Sequence, residues 1–225
     1  FYYSAGAPGN FNRFDSLNVV GGYYGVRMNG QSTGSFIEQN HVTNSTFREF
    51  YFYGYYARYL RDGIVHNNLM RGRTNATASS YGMYMYYMEG DFEVTENVVH
   101  NVGARGMYIF YGNSLNQGRG KIINNMIGAR FTGTTSTKYG IYLYNIRDTD
   151  VYHNSVDLGP QNGYALYMSG SGFDSLRVVN NIYASTSPFG SQGQSMFVST
   201  TSVNGIQQMD HNLLYSSGGT MANFG

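Results

Sequence analysis

Residues 81–99, YGMYMYYMEGDFEVTENVV, hold two patterns that recur along the chain. In VTENVV (94–99) an apolar residue, two variable residues and an asparagine are followed by an apolar pair. The same setting recurs as IEQNHV, VHNNLM, IINNMI, VYHNSV, VVNNIY and MDHNLL. The seven asparagines are Asn40, Asn68, Asn97, Asn125, Asn154, Asn181 and Asn212, with successive gaps of 28, 29, 28, 29, 27 and 31 residues. So regular a period is the signature of stacked repeats. The other pattern reads Tyr, small, apolar, Tyr, apolar. It recurs as YGVRM from Tyr24, YARYL from Tyr56, YGMYM from Tyr81, RGMYI from Arg105, YGIYL from Tyr139, YALYM from Tyr164 and QSMFV from Gln194.

Both patterns alternate with period two, which is a strand signal, and neither shows helical spacing. Gly, Asn, Ser and Thr follow each run, as tight turns require. A strand this short cannot bury a face alone, but copies stacked one above another share a continuous core. The expectation is an all-β solenoid of about seven coils, roughly 34 Å long at ~4.8 Å per coil. FDSLNVV (14–20) looks like a worn copy, so residues 1–22 are expected to hold a degenerate first coil and residues 218–225 a flexible end.

The asparagine column and its flanking apolar pairs resemble those of the right-handed parallel β-helix of pectate-lyase-type proteins, over about residues 20–217. In that family the asparagine sits in a short left-handed turn and its side chains hydrogen-bond up the stack. Asn tolerates positive φ better than most residues. The resemblance implies fold rather than function, because the family spans lyases, hydrolases, epimerases, tailspikes and adhesins.

Composition narrows the function classes. The 225 residues include 12% charged ones, with Lys+Arg 14 against Asp+Glu 13, so bulk charge points to no nucleic-acid or anionic-membrane partner. There is no Cys, which excludes disulfides, thiolate metal sites and a Cys nucleophile. No apolar run reaches membrane-span length. The Ser/Thr/Gly-rich loops and 23 Tyr suit a large secreted or surface protein of bacterial type, and the chain, which opens on Phe1, is expected to be a segment of a longer one. Asn44 and Asn75 head Asn-x-Ser/Thr glycosylation sequences.

Positions three and five of the tyrosine motif are apolar in nearly every copy and form the expected core, joined by the residue three before each asparagine, from Ile37 to Met209. Methionine suits an irregular prism as filler. Arg58 is the one charged residue on this inward face. Position four and the residue two further on then face solvent, giving an outer ladder of Tyr59, Tyr84, Tyr86, Tyr108, Phe110, Tyr142, Tyr144 and Tyr167. Beside it, position two would form a strip almost without side chains: Gly25, Ala57, Gly82, Gly106, Gly140, Ala165 and Ser195. Stacked rings can simply stabilise a parallel sheet. Alternatively, a flat aromatic strip beside a shallow trough binds a sugar face or a protein partner. The resemblance favours this sheet as the binding one, since in the family the sheet reached after the long turn lines the substrate groove. The longest loops, 45–55, 71–80, 128–138 and 184–193, lead into it here.

Catalytic sets are scarce on that face. A lyase of this kind needs an Arg or Lys base, often with carboxylate-held Ca²⁺, and a hydrolase needs carboxylates across the groove. The motifs carry Arg27, Arg58 and Arg105, with Arg61 just beyond, and no Asp or Glu. Tyr108 beside Arg105 is the nearest acid–base pair. Carboxylates gather in the following turn, where Asp62, Glu89, Asp148 and Asp174 form a column able to hold Ca²⁺ or simply to be solvated near Arg61 and Arg147. His153 and His211 share a column, but two coils apart, too far for a common metal. The leading expectation is therefore a non-catalytic secreted or cell-surface β-helix without a cofactor. It would act in adhesion, surface assembly or glycan contact, with a polysaccharide, a cell-surface protein, or other domains and copies of itself at the open ends as partners. A polysaccharide lyase or glycoside hydrolase with its groove on the same sheet, and a filament subunit, are the alternatives.

Overall fold

The structure, a computed structural model, describes residues 9–75, 79–113, 115, 118–128, 137–187, 193–217 and 220–224. The chain winds into a parallel β-helix with three sheets along its length. Each turn gives one strand to each sheet in the same order, as in Glu93–Thr95, then Val98–His100, then Arg105–Gly112. The first sheet runs from Arg13–Asp15 to Ile206–Asp210, the second from Asn18–Val20 to Leu213–Ser216. The third, the tyrosine sheet, runs from Tyr24–Asn29 to Ala222–Phe224. Between its first strand and its last the chain makes about seven turns. FDSLNVV supplies the first two strands of the first coil.

Each three-residue strand of the first two sheets points its middle residue inward. Val65, Val94, Ile122 and Val151 line the first sheet and Met70, Val99, Ile127 and Val156 the second, all buried. Met83, Met85 and Met88 close the prism from the tyrosine sheet. Two phenols, Tyr55 and Tyr183, also lie fully inside.

The bend between the first two sheets turns on one left-handed residue. Ser16, Asn44, Asn67, Glu96, Asn124, His153, Asn180 and His211 all have φ between 51° and 58°. It is this residue, and not the ladder residue after it, that takes the left-handed conformation. The next residue is free to point inward. Asn68, Asn97, Asn125, Asn154, Asn181 and Asn212 form the ladder: each Oδ1 accepts both the backbone and the side-chain N–H of the asparagine one coil earlier, from Asn68 through Asn181. Each Nδ2 also donates to a carbonyl of the coil before, as Asn97 does to Val65 at 2.7 Å.

Asn40 is not in this column. The ladder place below Asn68 belongs to Ser45, whose hydroxyl accepts the Leu17 N–H and whose own N–H donates to Asn68 Oδ1 at 3.0 Å. Asn40 stands at a different corner and accepts two bonds from Asn12. Likewise Ile37 pairs with Leu60 of the tyrosine sheet, and Val42 takes the inward place in the first sheet.

The second copy of the tyrosine motif is shifted as well. Tyr81, Met83, Tyr84 and Met85 pair with Tyr53, Tyr55, Tyr56 and Ala57, so the copy is YGYYA from Tyr53 and not YARYL. Arg58 therefore lies beside Tyr86 on the outer face instead of facing the core. Thr46–Phe50 is a strand of the second sheet, so 45–55 is not a loop. The other three expected loops, 71–80, 128–138 and 184–193, lie partly outside the described residues.

Candidate functional site: the outer aromatic face

Strict alternation breaks twice in each tyrosine strand. In Tyr81–Glu89 positions two and three, Gly82 and Met83, are both buried, and positions six and seven, Tyr86 and Tyr87, both face out. The small residues of position two are thus inside, not along an outer trough. A Cβ on Gly106 would overlap Ile127 of the second sheet and stand 2.7 Å from the Gly140 carbonyl oxygen. Position seven faces out because its backbone is left-handed, at φ 51° in Tyr59, 55° in Tyr87 and 61° in Tyr111.

Four columns of rings follow, at positions one, four, six and seven. The first holds Tyr24, Tyr53, Tyr81, Tyr139 and Tyr164, with Arg105 and Gln194 in tyrosine's place. Position four holds Tyr56, Tyr84, Tyr108, Tyr142, Tyr167 and Phe197. Position six holds Arg58, Tyr86, Phe110 and Tyr144. Tyr59 belongs to the fourth column, where its ring lies 5.3 Å from Tyr87, and Tyr87 lies 4.7 Å from Tyr111. The expected ladder residues Tyr84, Tyr108, Tyr142 and Tyr167 share one column, and Tyr86, Phe110 and Tyr144 share the next. The position-one tyrosines, with Tyr56, Tyr87 and Tyr111, complete the face and lie outside the expected ladder.

Many rings within a column are near-parallel from coil to coil. Tyr56 and Tyr84 lie 5.2 Å apart at 6°, and Phe110 and Tyr144 4.5 Å apart at 6°. Edge-on contacts join columns, as for Tyr53 and Tyr84 at 69°, and also occur within the position-four column, at 76° between Tyr84 and Tyr108 and 79° between Tyr142 and Tyr167. Both geometries suit the ring quadrupole. Where rings stack along the coil axis their faces are covered, which leaves mainly ring edges and hydroxyls toward solvent.

Guanidinium groups are set among the rings. Arg105 lies 5.0–5.4 Å from the centres of Tyr81, Tyr108, Tyr139 and Tyr142. Arg58 lies 5.0 Å from Tyr86 and 5.2 Å from Tyr59. A depression of about 290 Å³ opens among Tyr56, Arg58, Tyr84 and Tyr86. Burial, followed by neighbouring phenols, pushes the Tyr84 and Tyr139 hydroxyls up to about 12 and raises those of Tyr53 and Tyr108 still further. These phenols stay neutral donors at physiological pH. None of the outward positions in the four columns is a carboxylate among the described residues.

The turn carboxylates stand apart from this face. Asp62 accepts the Asp91 N–H at 2.8 Å, Glu89 is buried and accepts the Leu115 N–H, and Asp174 accepts the Ser175 hydroxyl. Asp148 lies 4.0 Å from Arg119, whose main partner is Asp150. Asp150 also takes both Arg177 contacts at 2.7 Å. Among the described residues no three His, Asp or Glu side chains converge as a metal site would need. His153 and His211 occupy the left-handed column with Asn180 between them. No helix among these residues is long and apolar enough to cross a membrane.

No curated protein matches the chain. A family model described as a right handed beta helix region matches residues 3–156, well over half of the length. With three parallel sheets, about seven turns and an interior asparagine ladder in agreement, the chain belongs to the right-handed beta-helix family.

Proposed function

We propose that the chain is a non-catalytic part of a secreted or cell-surface protein that holds a glycan or a surface partner on its tyrosine sheet. The observation that carries this reading is the outer face itself: four registered ring columns with guanidinium groups among them and no carboxylate in the described columns. Ring edges give an apolar surface, and the phenol hydroxyls repeat along the coil axis at the strand spacing, about 4.8 Å. An extended polymer lying along the axis would meet one hydroxyl row after another. Polar tips on apolar bodies favour such amphipathic partners.

The test is binding of the Tyr84→Ala, Tyr108→Ala, Tyr142→Ala triple variant to a panel of neutral and anionic glycans and to whole cell surfaces. Retained folding with lost binding supports the reading. Unchanged binding rejects it. New reducing or unsaturated sugar ends, with or without Ca²⁺, would instead favour a lyase or hydrolase on the same sheet.

A further inference from the structure

The outer face of the second sheet carries a basic pair that the aromatic face does not use. Arg48 and Arg71 are directly opposite each other on adjacent parallel strands, and both are exposed. Like charges in that relationship destabilise a sheet. Three other arginines are matched by carboxylates: Arg61 with Glu38 at 2.8 Å, Arg119 and Arg177 with Asp150. The guanidinium groups of Arg48 and Arg71 make no hydrogen bond or ion pair with any described residue; only their backbones do, as the Arg48 carbonyl does with the Gly21 N–H. The nearby carboxylate of Asp15 is already taken by Thr43, Asn44 and Ser16. The two arginines flank a pocket of about 460 Å³ whose wall also carries Asn18, Thr46 and Asn44.

We propose that this pocket is an anion site, taking a phosphate or sulfate group between the Arg48 and Arg71 guanidinium groups. A tetrahedral oxyanion has enough acceptors for both planar forks at once, and bridging turns their repulsion into two charge-assisted contacts. The Asn18 amide and Thr46 hydroxyl supply neutral hydrogen-bond partners on the same wall. The charge of Arg71 reaches the next coil, where burial and then that charge hold His100 below the ordinary imidazole value.

The experiment titrates the whole chain with inorganic phosphate and with inorganic sulfate at constant ionic strength, with chloride as control, by calorimetry and thermal melting. Monosaccharide phosphate and sulfate esters form parallel arms that separate a free ion from a glycan-borne group. The proposal expects saturable binding, about tenfold or more weaker in Arg48→Gln and in Arg71→Gln. It also expects either variant, without anion, to melt no lower than the parent, because a like-charge contact has been removed. Tyr84→Ala should bind as the parent does, which keeps this outcome separate from that of the aromatic face. Stabilisation by chloride to the same extent, unchanged affinity in both variants, or a lower anion-free melting temperature in either would overturn it.

Discussion

Asn125 Oδ1 receives both hydrogen bonds that Asn97 sends up the stack, 3.1 Å from its backbone nitrogen and 3.0 Å from its side chain. Asn125 in turn donates to Asn154 above and to the Val94 carbonyl below. One amide therefore ties three coils, in an interior where an unmatched polar group costs the most. Asn125→Ala should destabilise by about 3–4 kcal/mol, leaving the Asn97 N–H and the Val94 carbonyl unsatisfied. Asn125→Ser should cost clearly less, because Ser45 already fills the ladder place in another coil. Urea unfolding of both variants checks the order; equal losses would contradict it.

Gly106 is inward-facing and closely packed, so a methyl group there must push Ile127 or the next coil's carbonyl aside. Gly106→Ala should cost about 1–3 kcal/mol by overpacking. An outer trough would accept the methyl group at no cost, so an unchanged melting curve would contradict the inward placement.

Arg105 stands in a column built mainly of tyrosine and shares its charge among four rings. Arg105→Ala should lose about 1–2 kcal/mol through cation–π contact and packing. Arg105→Tyr should recover most of that loss, since it restores the column. Thermal melting of the pair decides this, and a Tyr variant no better than Ala would contradict the columnar register.

The buried phenols also set an alkaline limit. Their folded values are raised, so their contribution is complete below the unfolded value of ~10 and is lost as pH climbs through the folded values. For Tyr84 and Tyr139 that value is about 12. Stability should fall between about pH 10 and 12. Tyrosinate absorbance and circular dichroism should change together as the sheet opens. Full ionisation with the β-sheet signal intact would contradict burial of these rings.

The coils and their period were legible because the left-handed bend and the interior amide constrain residue type at fixed places. Asn40 misled because IEQNHV imitates the ladder setting and falls 28 residues before Asn68, whereas Ser45, the residue that fills the column, falls 23 before it. A serine can accept and donate like an asparagine, so the column did not need its usual residue. The stretch YFYGYYARYL admits two frames, and Gly54 is the signal that separates them. It aligns with Gly82, Gly106 and Gly140, where the second sheet leaves no room for a side chain. Strict alternation places position two outward and so hides that need for glycine, because it does not allow a strand two adjacent inward residues. Tyr87 and Tyr111 were missed for the converse reason: bulky residues seldom adopt positive φ.

Hydrogen–deuterium exchange on the chain with and without a bound glycan or surface fraction tests the central claim most directly. Slowed exchange should map to Tyr53–Arg61, Tyr81–Glu89, Arg105–Gly112 and Lys138–Ile146, and disappear in the Tyr84, Tyr108 and Tyr142 triple alanine variant. Protection confined to the first or second sheet, with the tyrosine strands unchanged, would contradict it.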